Sequence, residues 1–460
     1  MNKPSAGFAD VLVGLQYGDE GKAKIVDLLA HDYDIIARFN GGANAGHTVI
    51  TPHGEAKLKQ IPSAVFHANK VLYIGSGCVV NMVKLAAEIK TLADLGISLK
   101  QRLFISHRCS VVQPHHIALD LEYGSVIGTT GNGIGPCYAD HSIRMKGHDR
   151  SGIQLKDLCS DPSTAFTIVQ KNLSKEIQPP LSASQISSAL AEIEAAWELV
   201  AEYVVEDDLF LTKRVSSGAR VLFEGAQSVL LDTTFGEQPY VTSSRTGPSY
   251  AYTGGDLSCR FHRKSIGIVK AIMSRVGAGS FPSEFGGSAS AEYCNTAASR
   301  WIGREEESRL DYLALLRSAS PLDIGKGIRI QAGEYGTGSG RPRRIGALDL
   351  VNLKETVAFH GIDEVFINRC DSLSLFKLTR NGKIPTVVEY GKSHPDVEVK
   401  TMEFEGFDLA ELDTAQGKAI PPQLEQLIDF IERYVDCDVV GVGVGPKRSD
   451  NISRTAKGRK

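Results

Sequence analysis

Gly14-Leu15-Gln16-Tyr17-Gly18-Asp19-Glu20-Gly21-Lys22-Ala23-Lys24 follows the apolar run Val11-Leu12-Val13 and leads into Ile25-Val26-Asp27-Leu28-Leu29. Strand, glycine-rich turn and helix start thus come in direct succession. This layout surrounds a phosphate with backbone N–H groups and a helix N-terminus. Gly18 and Gly21 allow tight or positive-φ geometry, and Lys22 brings a point charge for a phosphate oxygen. The stretch departs from a Walker A loop at Gln16, where a Gly belongs, and at Ala23, where a Ser or Thr would hold magnesium. A loop without that hydroxyl needs another metal ligand. Asp19 is the carboxylate at hand, and the same position suits a base.

A second small-residue cluster follows, Arg38-Phe39-Asn40-Gly41-Gly42-Ala43-Asn44-Ala45-Gly46-His47-Thr48. It ends in His47, a general-acid candidate flanked by Asn44 and Thr48. Two such loops so close together point to nucleotide chemistry.

Composition agrees. The chain has 460 residues, 42% apolar and 23% charged, with a net charge of −3, so neither a nucleic-acid nor a membrane surface is indicated. The eight cysteines are scattered, with no Cys-x-x-Cys pair, which argues against zinc or a disulfide framework and for a reducing cytoplasm. The N-terminus carries no apolar signal region, and no stretch is long enough to span a bilayer. β-branched runs at 71–74, 103–105, 220–223, 265–269, 364–367 and 438–440 alternate with helical patterns at 81–95, 184–205, 348–360 and 422–435. The alternation predicts an α/β fold: a mostly parallel central sheet flanked by helices, with long loops. We expect one domain over 1–460, a helical subdomain at 151–217 and a disordered basic tail at 456–460.

The chain resembles the adenylosuccinate synthetase family. The likeness runs through Gln16 to Lys24, through residues 41–48 and through Gly128-Thr129-Thr130-Gly131-Asn132-Gly133-Ile134-Gly135-Pro136. It continues through Phe223-Glu224-Gly225-Ala226-Gln227, Tyr240-Val241-Thr242-Ser243-Ser244, Arg275-Val276-Gly277-Ala278-Gly279 and Gly340-Arg341-Pro342-Arg343-Arg344. These blocks span most of the chain in the family's order.

The resemblance implies a P-loop-NTPase-like GTP site and a ligase. The γ-phosphoryl of GTP moves to O6 of IMP, and the L-aspartate amine then displaces it, giving adenylosuccinate. It assigns catalysis to Asp19, Lys22, His47 and Gln227, and magnesium to Asp19 and the Gly46 carbonyl. GTP falls to Gly18, Asp19, Glu20, Gly21, Lys22, Ala23, Lys24, Gly46, His47, Thr48 and Arg343. Its base falls to Arg369, Cys370, Asp371, Gly443, Val444 and Gly445, with Asp371 reading guanine. IMP falls to residues 19–22, to Asn44, Ala45, Gly46 and His47, and to Thr130, Gln227, Thr242 and Arg341. Arg144 is implied to reach IMP in the neighbouring subunit of a homodimer. Aspartate falls to Thr337, Gly338, Ser339, Gly340, Arg341, Pro342 and Arg343.

Departures from the family pattern gather near these sites. Tyr17 stands where Trp is usual, Ala23 where Gly is, Ala43 replaces Asn, and Asn132 replaces a basic residue. The loop Thr337-Gly338-Ser339 and the segment Asn368-Arg369-Cys370-Asp371 are altered, as are Gly443-Val444 and Lys447. Residues 285–334 form a longer segment than usual, within which 300–318 reads as an amphipathic helix. A paralogue acting on another purine monophosphate such as dGMP, or on another amino donor, therefore stands as an alternative. So does a catalytically silent nucleotide-binding regulator. Retained Asp19 counts against the dGMP variant, and Asp19 with His47 against the silent regulator.

Overall fold

The computed structural model describes residues 7–51, 54–124, 127–300, 303–336, 340–391, 398–412 and 420–457, with the backbone alone at 296–300. Thr337, Gly338, Ser339 and the tail residues 458–460 lie outside the described residues.

The central sheet contains β1 (Ala9–Gly14), β2 (Ile35–Arg38), β3 (Val71–Ile74), β4 (Leu103–Ser106), β5 (Val204–Val205), β6 (Val221–Ser228), β7 (His262–Lys270), β8 (Glu364–Asn368), β9 (Asp438–Gly443) and β10 (Asn451–Ser453). Their order across the sheet is β10-β9-β8-β7-β1-β6-β2-β3-β4-β5. Neighbours are parallel except β9 and β10. The chain starts at the centre and steps outward through β2 to β5. It returns to insert β6 beside β1, then builds the other half from β7. The reversal therefore falls at β1, and in open α/β sheets ligands bind at such a switch point, outside the carboxyl ends of the strands.

Both faces of the sheet are covered, which is why its strands read as continuous apolar runs. Val11 and Val13 join Ala37, Phe223, Val269 and Ile367 in one core, whereas Leu12 joins Ile36, Leu72, Leu222 and Ile268 in the other. Period-two alternation of side chains divides each strand between the two layers.

Helix α1 (Lys22–Leu29) starts at Lys22, three residues before the predicted Ile25, because Gly21 turns the chain at φ 84. Helix α2 (Met82–Asp94) is capped by the Asn81 side chain, which accepts from Lys84 N–H. Helix α3 (Ala183–Val200) corrects the predicted 184–205: it stops at Val200, a short turn follows, and Val204-Val205 pair with β4 as the sheet edge. Its Ile193 and Val200, with Leu158, Val169 and Leu173 from the preceding helices, share the core that holds Leu12.

In the segment 285–334, α4 (Gly287–Arg300) and α5 (Pro321–Ala332) flank two short helices, Arg304–Glu307 and Tyr312–Leu316. The single amphipathic helix predicted over 300–318 is therefore not formed. Asp311 starts a new helix by accepting from Leu313 and Ala314 N–H. Helix α6 (Leu350–His360) begins two residues later than predicted, because Asp349 caps it. Helix α7 (Pro422–Val435) packs toward the sheet through Leu424, Leu427, Ile428 and Ile431.

Candidate functional site

The loop after β1 carries three positive-φ residues, Gly18 (φ 95), Asp19 (φ 58) and Gly21 (φ 84). Asp19 is the unusual one, since a residue with a Cβ adopts this region at a cost met where function requires it. Beneath the loop lies Glu20, fully buried. Its carboxylate accepts from Gly18 N–H at 2.8 Å and Lys22 Nζ at 2.8 Å, and from Ser228 Oγ at 2.6 and 2.7 Å. The Glu20 side chain thus holds the loop's shape, leaving its backbone for an anion. Gln16 fastens the other shoulder, donating to Lys270 O at 3.0 Å and accepting from Lys270 N–H at 2.9 Å.

Register sets the next part. β2 and β6 pair Arg38 with Glu224, which brings two charged residues together inside the sheet's end. His47 Nδ1 lies 2.6 Å from Glu224 Oε1, and Ser63 donates to the same carboxylate through its N–H at 2.8 Å and its hydroxyl at 2.5 Å. Burial opposes the Glu224 charge, but His47, Arg38 and Ser63 overcome it and hold the carboxyl down to about 2. Burial pushes the His47 imidazole below its ordinary value, against the pull of Glu224. The pairing fixes the proton on Nδ1 and leaves Nε2 for a ligand. Asn40 closes this corner, accepting from Ala226 N–H at 2.8 Å and donating to Ala226 O at 3.0 Å. Gln227 at φ 56 takes a bond from Ser244 Oγ at 3.3 Å, and Asn44 accepts from Gly42 N–H at 3.1 Å.

Arg343 ties the loop to the far side. Its Nη2 lies 2.5 Å from Asp19 Oδ2 and its Nη1 2.6 Å from Glu334 Oε2. Arg369, at φ 64, reaches Glu334 Oε1 at 3.1 Å.

The ends of β8 and β9 form a further wall. Lys24 Nζ donates to Gly445 O at 2.8 Å and Asp450 O at 2.7 Å, and burial brings its ammonium down to about 8 despite Asp450. Asn368 Nδ2 donates to Glu20 O at 2.7 Å. A Cβ at Gly443 would stand 2.1 Å from Asn368 Oδ1, so a side chain here would displace the Asn368 amide. Val444 N–H donates to Asp450 O at 3.0 Å. Cys370 is buried, and burial raises its thiol. Among the described residues Asp371 Oδ1, which is buried, has no hydrogen-bond partner, and burial raises its carboxyl above the usual range.

The family description adenylosuccinate synthetase matches residues 11–452. Adenylosuccinate synthetase 2 of Cupriavidus pinatubonensis is 49% identical over 444 residues, 96% of each chain. The chain belongs to the adenylosuccinate synthetase family. The adenylosuccinate synthetase of Thermoplasma volcanium is 34% identical over 467 residues, again 96% of each chain. The fully ligated adenylosuccinate synthetase from Plasmodium falciparum matches with a TM-score of 0.80 at 26% identity, covering 98% of this chain and 100% of that one. The cyanophage S-2L succinoaminodeoxyadenylate synthetase, bound to dGMP and dATP, shares the fold at a TM-score of 0.60 and 17% identity, over 99% of this chain and 97% of that one.

As a member of the adenylosuccinate synthetase family, the chain is a GTP-dependent ligase of purine biosynthesis that joins L-aspartate to IMP and uses magnesium. The two donors that the resemblance implies would suit that ion. The Asp19 side chain is 40% exposed and Gly46 is exposed, and a carboxylate and a carbonyl are the hard oxygens magnesium takes.

Not every family-implied residue gathers at this site. Arg341 donates through Nη2 to Asn295 Oδ1 at 2.8 Å and through Nε to Cys294 O at 3.4 Å, so α4 holds it. Thr130 is exposed, and Thr242 is half-buried with its N–H on Leu231 O at 2.8 Å. Arg144 caps the helix Ile134–Ile143 at φ 66 and lines a cavity of about 170 Å³ with Ser110, His116, Asp140, His141 and Arg150. Among the described residues, no other family-implied site residue lines that cavity. Beside it, the ligand atoms of His115, His116 and Asp140 lie within 4.8 Å of one another. Gln113 N–H donates to His116 Nδ1 at 3.0 Å, so His116 Nε2 carries the proton it gives Asp140 at 3.1 Å, and Lys146 Nζ adds a cation at 3.1 Å. That is a hydrogen-bonded node, not a metal centre.

Glu224, Ser63, Glu334 and Lys270 were not singled out from sequence. For Glu224 a signal existed: an acidic residue inside an apolar central strand needs a buried partner.

Proposed function

We propose that Asp19 removes the N1 proton of IMP, so that charge reaches O6 for attack on the γ-phosphorus of GTP. His47, held at Nδ1 by Glu224, takes a second proton at Nε2 and, as the imidazolium, donates from there to the phosphoryl oxygens as charge grows on them. Lys22, anchored between Glu20 and Ser228, adds a fixed positive charge under the phosphate loop. When bound, magnesium would be held by Asp19 and the Gly46 carbonyl and would offset phosphate charge. Gln227, Asn44, Thr130 and Thr242 hold IMP. The loop of residues 337–343 receives aspartate, with Arg341 and Arg343 as its carboxylate partners.

The observation that carries this reading is the His47–Glu224 pair, since the buried carboxylate holds Nδ1–H and supports the imidazolium that donates from Nε2. We further propose that guanine seats on Asp371, between Arg369 and the Gly443-Val444-Gly445 turn, where the unpartnered Oδ1 suits its N1–H and 2-amino group. The exposed Arg144, set apart from its own chain's loops, suits a homodimer in which it serves the neighbour. We place the enzyme in the cytoplasm and treat the chain as one working unit that carries the helical stretch 151–217. Among the described residues no helix is long and apolar enough to cross a membrane. Incubating the protein with GTP, magnesium and panels of purine monophosphates and amino acids, with products identified by mass, tests the reading. An adduct from IMP and aspartate alone is the expected result; one from dGMP, or none, would refute it.

A further inference from the structure

Glu334 sits where three cations converge, and no step above uses it. Its side chain is only 7% exposed. Oε2 accepts from Arg343 Nη1 at 2.6 Å, Ser274 Oγ at 3.1 Å and Lys270 Nζ at 3.2 Å, while Oε1 accepts from Arg369 Nη2 at 3.1 Å. Burial alone would push this carboxyl up, but Lys270, Arg343 and Arg369 reverse the effect and hold it well below the usual range. A buried ion network is weak support for stability, because a well-packed apolar replacement often does as well. Its value lies in what it holds in place.

Two of its partners lead to different ends of the site. Arg343 continues to Asp19 Oδ2 at 2.5 Å. Arg369 directly follows β8 and adopts φ 64, a region that a side chain enters only when its surroundings hold it there. Those surroundings are Glu334 and the carbonyl of Ala332, both contacted by Arg369 Nη2. Ala332 is the last residue of α5, where unpaired carbonyls favour a cation. Two residues beyond Arg369 comes Asp371, whose Oδ1 has no hydrogen-bond partner among the described residues. The backbone turn that aims Asp371 is thus pinned by the side chain of Arg369, and Glu334 is one of the pins. Asn368, a second departure from the family pattern, ties the same turn to the phosphate loop through Glu20 O at 2.7 Å.

We infer that Glu334 is a positioning residue that couples recognition of the guanine base to Asp19, through Arg369 on one side and Arg343 on the other. The inference rests on Asp371 as the base reader and Asp19 as the base, as proposed above. A purely structural Glu334 would lower stability and affect every nucleotide donor alike. A positioning Glu334 affects donors according to the groups that Asp371 reads.

The test compares GTP with inosine triphosphate, which lacks only the 2-amino group, in wild type, Glu334→Gln, Arg369→Ala, their double variant and Asp371→Ala. Glu334→Gln should raise the KM for GTP and shrink the GTP-to-inosine-triphosphate ratio in kcat/KM by roughly tenfold, with the KM for IMP unchanged. The double variant should lose no more of the ratio than Glu334→Gln does, because both changes release the same turn. An unchanged ratio in Glu334→Gln, with both donors slowed equally, overturns the inference. If Glu334→Gln does not fold, Arg369→Ala decides in the same way. A ratio that survives in Asp371→Ala sinks the base reading itself; a ratio lost there but kept in Glu334→Gln sinks only the coupling.

Discussion

Arg343 engages Asp19 Oδ2 through Nη2 at 2.5 Å while its Nη1 holds Glu334 at 2.6 Å. The proposed base is therefore paired with a cation that is itself anchored, and Asp19 is presented on a backbone turned to φ 58. Both features place the carboxylate without leaving it to find its own position. A substitution that keeps shape and removes charge isolates its chemical role.

Asp19→Asn should lower kcat by at least about 10²–10⁴, the range for loss of a general base, while GTP still binds. Single-turnover kinetics and calorimetric nucleotide titration separate the two. Turnover near the wild-type rate would refute the assignment.

Glu224→Gln should also lower kcat, by about 10²–10⁴, because the imidazole of His47 loses the partner that sets its tautomer. The same pair makes a pH prediction. The Glu224 carboxyl is held down to about 2 in the folded protein, below its unfolded value, so the unfolded chain takes up the proton first on acidification. The stability it contributes is present above the unfolded value and is lost as pH falls toward the folded one. His47 is likewise depressed, so it too erodes stability as pH drops below its unfolded value. The gap in Tm between wild type and Glu224→Gln should shrink from about pH 6 to about pH 3. A gap that stays constant would contradict an ionised Glu224.

Asp371→Ala should narrow the preference for GTP over ATP in kcat/KM, since each buried polar group left unpaired costs about 1–3 kcal/mol. An unchanged ratio, or a wild-type enzyme that already prefers ATP, would mean that Arg369 and Val444 have rebuilt the pocket.

Much of this was legible in the chain because it is local. The strand, turn and helix around Gly18 to Lys22 are adjacent in sequence, and the buried parallel strands announce themselves as β-branched runs. The misses are non-local. Glu224 meets Ser63 across 161 residues, and only the β2–β6 register puts it beside Arg38. Periodicity carried the predicted helix past Val200, whereas pairing of Val204-Val205 with the sheet edge ended it. Over 300–318 the apolar spacing suited one helix, but the Asp311 cap began a new one. Glu334 follows α5 by two residues, and nothing nearby in sequence names the three cations it serves.

Arg144 supplies the last test. It ends its helix at φ 66 with its N–H on Asp140 O at 3.1 Å, and among the described residues its guanidinium has no partner. If it completes the neighbour's IMP site, Arg144→Ala should raise the KM for IMP and leave that for GTP nearly unchanged, as one charge-assisted phosphate contact is lost. Mixing Arg144→Ala with Asp19→Asn protein should then restore activity. In the mixed dimer, the site on the Arg144→Ala chain keeps its Asp19 and receives Arg144 from its partner. The other site lacks both, so about half of the sites in each mixed dimer regain function, and random exchange at equal amounts makes about half of all dimers mixed. Activity near one quarter of wild type is therefore expected. A mixture as inactive as its parents, with subunit exchange confirmed by mass or fluorescence, would place Arg144 in its own chain's site.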